Sequence, residues 1–170
     1  NRGVIPVEHI IRADATRTFT SNTSEQALFT SPTNGRLTLE TGTYLFEGLL
    51  NIGTMSATSG NAAIDILGAG TATIAAWLWH AVGVDGATAT AATQTGSTTV
   101  TQQSAASIVT AGTGTAMTVR LRGTFEVTGA GTIIPSMTLV TANAAVLAIG
   151  SYLVFRRVGS TSMVSVGQWD

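Results

Sequence analysis

Two histidines, His9 and His80, are the only side chains in this 170-residue chain whose ordinary titration falls near neutral pH. Acid–base chemistry would have to run through them or through nine scattered carboxylates. A serine nucleophile needs a base and a third orienting group, and no G-x-S-x-G elbow is present. His80 follows Trp79 inside an apolar run, the setting of a core or interface histidine, and His9 in PVEHII, beside Glu8, is no better placed. No two histidines stand at helical metal-binding spacing. Without cysteine, neither a disulfide framework nor a thiolate zinc site can form. Glu40 and Glu47 could be assembled into a glycosidase pair only by folding, and nothing around them asks for it. The clusters GAGT, GTGT and GAGT complete neither phosphate-loop pattern and read as turns. The residues thus predict no catalytic group, no cofactor and no metal ligand.

Residues suited to binding are easier to find. Trp77 and Trp79 alternate on one face of a strand, where they could stack on sugar rings as receptor contacts or fill a core, the commoner use of large aromatics. In MTVRLRGTFEVT, residues 117–128, every second side chain is apolar or tiny, while Arg120, Arg122 and Glu126 occupy the alternate face. All eight cationic residues are arginine, whose planar fork suits interfaces better than lysine does. Whether the charged face meets water, a ligand or another copy of the chain is left open by these residues; the plainest reading is solvated charges worth little.

The elements that must position these residues are strands. No stretch of eleven or more residues follows the helical apolar period. Thr43 to Ile52 is a strand with Tyr44, Phe46, Gly48, Leu50 and Ile52 on one face, preceded by the turn residues Pro32-Thr33-Asn34-Gly35 and a short strand, Arg36 to Leu39. Ala62 to Leu67 and Thr71 to His80 read as a hairpin closed at Gly68-Ala69-Gly70. After the strand at 117–128, a turn at Gly129-Ala130-Gly131 leads to a partner strand whose Pro135 demands an edge or a bulge. Ser151 to Val158 closes the series. Tyr44, Phe46, Tyr152 and Phe155, the largest alternating side chains of two strands, are candidates for core or subunit-axis packing. Seven to nine short strands with Gly-rich turns predict an all-β sandwich or barrel, and the jelly roll is favoured.

Length fits one domain over 1–170, with an N-terminal arm and first strands over 1–30 and a long, nearly uncharged polar loop, or ragged edge strands, over 85–107. Beginning at Asn1, the chain reads as the C-terminal part of a longer one. Charged residues are 10% of the composition against roughly 25% in ordinary soluble domains, so the surface is hydroxyl-rich or covered. A net charge of −1 gives no field to gather phosphates, which excludes nucleic acid as a natural partner. The uncharged run from Ile66 to Val84 has the length of a membrane span, but its flanks are acidic and Gly, Thr and His80 interrupt it. A buried strand is the better reading, without membrane insertion.

Taken in order, NRGVIPVE, ALFTSPTNGRLTLETGTYLFEGLLNI, the Trp pair, LRGTFEVTGAGTIIPSMTL, IGSYLVFRRVGS and GQW resemble bacteriophage and prophage tail-fibre-like virion proteins over nearly the whole chain. Within them, GTYLF and SYLVF are similar to core strands of the trimeric tumour-necrosis-factor and complement globular-head jelly rolls. The resemblance implies a homotrimer in which three sandwiches share an axis, with Arg120, Arg122 and Glu126 meeting a neighbouring subunit. It also implies a structural role in the virion, in a tail or head fibre, after assembly in the bacterial cytoplasm. Partners would be further copies of the chain, other virion proteins, and a host-surface glycan or protein met through loops. Capsid decoration or another purely architectural role is the alternative; a polysaccharide depolymerase would need a carboxylate pair that so acid-poor a chain supplies poorly.

Overall fold

The computed structural model describes residues 8–21, 23–55, 62–85, 94–100, 106–107, 116–139 and 145–160. These form β1 (Glu8–Arg12), β2 (Arg17–Phe19), β3 (Gln26–Ala27), a 3-10 turn (Thr33–Gly35), β4 (Leu37–Leu39), β5 (Gly42–Gly53), β6 (Ala62–Asp65) and β7 (Thr73–Asp85). The series continues with β8 (Gln94–Val100), β9 (Ala106–Ser107), β10 (Met117–Gly129), β11 (Gly131–Ile133), β12 (Ser136–Leu139), β13 (Ala145–Leu147) and β14 (Tyr152–Gly159). Every strand pairing is antiparallel. The architecture is all-β, and no α-helix occurs among the described residues. No helix there is long and apolar enough to cross a membrane.

The largest sheet runs β1-β14-β5-β10-β7-β8, with β13 attached to β5 and to β2. A smaller sheet runs β3-β12-β6-β9, and β11 pairs with β4. One buried cluster draws on both larger sheets: Phe46, Leu50, Leu121 and Phe155 from the first, Ile64, Met137 and Leu139 from the second. This shared core is consistent with a sandwich, because each sheet has only one apolar face and must cover it.

The strand at 42–53 follows its sequence pattern closely: Tyr44, Phe46, Leu50 and Ile52 are buried while Leu45, Glu47, Leu49 and Asn51 are exposed. Strand β10 lies between β5 and β7, and Phe125 sits at the centre of an aromatic cluster. Its ring centroid lies 5.1 Å from Trp77, 5.6 Å from Tyr44, 5.7 Å from Phe46 and 6.2 Å from Phe155. Offset and edge contacts at such separations add to area burial. The Tyr44 hydroxyl meets its polar requirement by donating to the Glu40 carbonyl at 2.9 Å. Gly123 is required here: a Cβ at that position would lie 2.2 Å from the Trp79 Cβ, inside the space that lets β10 and β7 approach.

Two local expectations need correction. Residues 62–65 and 73–85 do not form a hairpin: β6 joins β12 in the smaller sheet, whereas β7 joins β10 in the larger one. The Gly68-Ala69-Gly70 segment therefore carries the chain between sheets. The run after Gly129 is likewise not a partner of β10. It is split at Pro135 into β11, paired with β4, and β12, paired with β6 and β3. Proline lacks an N–H for a continuous ladder, so the break falls there. Within 85–107 the edge-strand alternative holds for two stretches: β8 pairs with β7 from Trp79↔Val100 to Val84↔Gln94 at the edge of the large sheet, and β9 pairs with β6 at the edge of the smaller one. Trp169 and residues 86–93 and 101–105 of the polar segment lie outside the described residues.

Candidate functional site

The inner face of the large sheet is core, so any site on this sheet must use its outer face. Register fixes what that face displays. Arg122 stands opposite Glu47 on one side and His80 on the other, and Glu47 stands opposite Val154. One position along, on the same face, Thr124 is flanked by Leu45 and Leu78, and Leu45 by Arg156. In the other direction Arg120 is flanked by Leu49 and Val82, and Leu49 by Tyr152. Directly opposite residues of an antiparallel pair lie close enough for their side chains to interact.

The result is an aliphatic surface with charges at its centre. Leu78 is 54% exposed, Leu45 42%, Leu49 37% and, at the edge on β1, Ile10 62%. These are four of the six large apolar side chains left exposed among the described residues. A concavity of about 530 Å³ lies over the same rows, lined by Leu45, Glu47, Leu78, His80, Arg122 and Arg156 among others. At its rim the Arg156 guanidinium pairs with Glu8 at 2.7 Å. Scattered exposed leucines need no explanation, but a contiguous group on one sheet face marks a surface that is covered in use.

The residues singled out by sequence divide between the two faces. Tyr44, Phe46 and Phe155 are buried in the core of the single chain. Tyr152 is half-buried on the outer face. Arg120 and Arg122 are exposed on that face, and Glu126 is half-buried further along it, opposite Thr43 and Ala75. Trp77 and Trp79 must be corrected as receptor contacts: they are 6% and 2% exposed, packed on Phe125 and Phe46 respectively. A bulge in β7 brings this about. Ala76 adopts a left-handed φ of 50°, so Ala75 and Ala76 both face solvent while Ile74 and Trp77 both face inward.

Glu47, the carboxylate that faces Arg122, was missed in that role. Its signal was present in TYLFEGLLNI, where Leu45, Glu47 and Leu49 alternate with the core residues. Two leucines on the side expected to meet water point to a covered face. Among the described residues, no three His, Asp or Glu side chains cluster as a metal site.

No family model matches the chain, and a search of curated proteins found no match. Among solved structures, a chain from the "Structure of infectious bursal disease virus Gx strain" is similar at 10% identity with a TM-score of 0.23. The match covers 92% of this chain and 43% of that one, so this chain spans less than half the length of that neighbour. A likeness this slight carries no argument about function.

Proposed function

We propose that the chain is a non-enzymatic structural domain of a bacteriophage virion, a jelly roll working as a homotrimer in a tail or head fibre. Loops at one end of the trimer would meet a host-surface glycan or protein. The observation that carries this reading is the outer face of the large sheet. Leu45, Leu49, Leu78 and Ile10 surround Glu47 and Arg122 on a chain with very few charges elsewhere.

A second copy of the chain is the occupant that fits. Along β10 the outer face is cationic at Arg120 and Arg122 and acidic at Glu126. A head-to-tail contact would set the arginines of one copy against the carboxylate of the next, and a rotation that closes gives a ring. Arginine–carboxylate pairs inside an aliphatic surround favour specific register over raw affinity. In such a trimer, weak contacts to a host surface are multiplied through effective concentration.

Gold-labelled antibody against the chain, applied to intact phage particles, tests the role. Label on fibres is expected. Label confined to the capsid shell would support the decoration reading, and absence from the particle would refute both.

A further inference from the structure

Strand β2 carries a charge on the wrong side. Arg17 and Phe19 lie two residues apart in this strand and so share a face, and Phe19 is wholly buried. The arginine is thus turned toward the core side of the large sheet, at an edge where β2 pairs with β13. Its guanidinium carbon lies 5.7 Å from the centre of the Phe19 ring, a cation–π contact that holds the head in place. Its Nε is buried without an acceptor, and among the described residues no carboxylate pairs with it. A charged donor withdrawn from water is costly unless it is matched, which leaves the outer guanidinium nitrogens to find an acceptor.

Arg17 opens onto a hollow of about 320 Å³, walled also by Glu25, Gln26, Asn34, Ile134 and Ser136. That size is at the small end of the roughly 300–1,000 Å³ usual for ligand pockets. The amides are held in advance. The Gln26 Oε1 accepts the backbone N–H of Thr20 at 3.0 Å and of Ser21 at 2.9 Å, so its orientation is fixed and its own N–H groups are the donors left over. Asn34, at a left-handed φ of 56°, sits in a turn closed by the Pro32 carbonyl, which accepts from Gly35, and by the Thr33 carbonyl, which accepts from Arg36 at 3.2 Å. Ser136 is set on β12 between β3 and β6. Such fixed donors and acceptors suit a polyhydroxylated ligand, because every hydroxyl can both give and take a hydrogen bond.

We infer that this hollow binds an acidic saccharide unit, a sugar ring bearing one carboxylate, as in a hexuronic acid. The planar guanidinium of Arg17 fits the carboxylate. The Gln26 and Asn34 amides fit ring hydroxyls, and the Glu25 carboxyl accepts from a hydroxyl while repelling a second acid group. Ile134 and Ala69 offer apolar surface to the C–H groups of the ring. A simple inorganic anion would use Arg17 and leave the amides and Glu25 without a role. The inference rests on the glycan-binding part of the function proposed above and names the class of glycan. An inward-turned charge on an edge strand can instead keep that edge from pairing with another chain, a role that needs no ligand.

The test is an NMR titration of the 15N-labelled full chain at neutral pH with sodium glucuronate, glucose and sodium acetate in turn. Glucuronate is expected to shift the amide signals of Arg17, Gln26 and Asn34 saturably. It should bind about tenfold or more tightly than either glucose or acetate, since a charge-assisted pair and a set of hydroxyl contacts are each worth at least that factor. Arg17→Gln should erase the preference for glucuronate over glucose. Asn34→Gly, which suits the left-handed backbone, should weaken both sugars. Arg12→Gln, which removes an exposed arginine on β1, should change neither. No saturable shift with glucuronate would overturn the inference and favour the edge-guarding role. Acetate binding as tightly as glucuronate, or a preference for glucuronate that Arg17→Gln retains, would also overturn it. Should Arg17→Gln fail to fold, Asn34→Gly decides: weakened sugar binding supports the site and unchanged binding overturns it. A monomeric chain that binds glucuronate would refute the trimer alone, and a trimer that binds none would refute this inference alone.

Discussion

Replacing Leu78 separates assembly from folding, because its side chain lies half in and half out of the surface. It is 54% exposed in the single chain and lines the concavity with Arg122 and Arg156. Fully burying a leucine is worth about 1.5–3 kcal/mol, so covering the exposed half contributes about 0.8–1.6 kcal/mol at each subunit contact. Leu78→Ala should therefore weaken each contact by roughly four- to fifteenfold, at tenfold per 1.4 kcal/mol. Leu78→Arg should do far more. The stem of an arginine can cover the same surface in the single chain while its head stays in water. In a closed interface that head would be desolvated beside two other guanidinium groups, at a cost of several kcal/mol. Sedimentation equilibrium across a range of concentrations, with circular dichroism on the same samples, gives both quantities. The expected outcome is a folded Leu78→Arg chain of monomer mass, with Leu78→Ala intermediate and concentration-dependent. A Leu78→Arg chain that assembles as well as wild type would refute the assignment of this face.

Phe125→Ala removes the hub of the aromatic cluster and should lower stability by about 3–5 kcal/mol in urea unfolding, the range for truncating a buried aromatic. Because the single chain buries that ring, the drop in the urea midpoint on going from wild type to Phe125→Ala should be the same at every protein concentration, unlike any effect at an interface position. Deleting Gln94–Val100 uncovers the hydrogen-bonding edge of β7, and the product should aggregate, as seen by light scattering, since an unpaired strand edge is a template for further pairing. Partial burial, and after it the Asp65 charge, make folded Glu25 hold its proton more tightly than its ordinary value of about 4.5 allows. Its contribution should be full below that value and fall as pH rises through the raised one. Glu25→Gln should flatten that part of the profile of urea midpoint against pH.

Much of the inner architecture is legible from alternation. Tyr44, Phe46, Leu50 and Ile52 face inward where the sequence places them, because a strand's side chains change faces at every residue and only one face of the sheet is dry. Partners were harder. Nothing local in residues 62–80 says that β6 and β7 belong to different sheets, since two apolar runs around Gly68 and Gly70 fit a hairpin equally well. The split at Pro135 was half visible, as a missing donor but not as a change of sheet. Alternation also puts Trp77 and Trp79 on one face without saying which face is wet. That depends on Phe125 and Phe46 from two other strands. That Glu47 stands opposite Arg122 depends on register between β5 and β10, which no single strand contains.

The central claim is that copies of this chain cover the outer face of the large sheet in a closed trimer. Multi-angle light scattering of the purified wild-type chain at micromolar concentration measures this most directly. The account predicts one species near three times the 17.4 kDa chain mass. A single stable species at 17.4 kDa would contradict it and leave Leu45, Leu49, Leu78 and the arginine face of β10 as ordinary solvated surface.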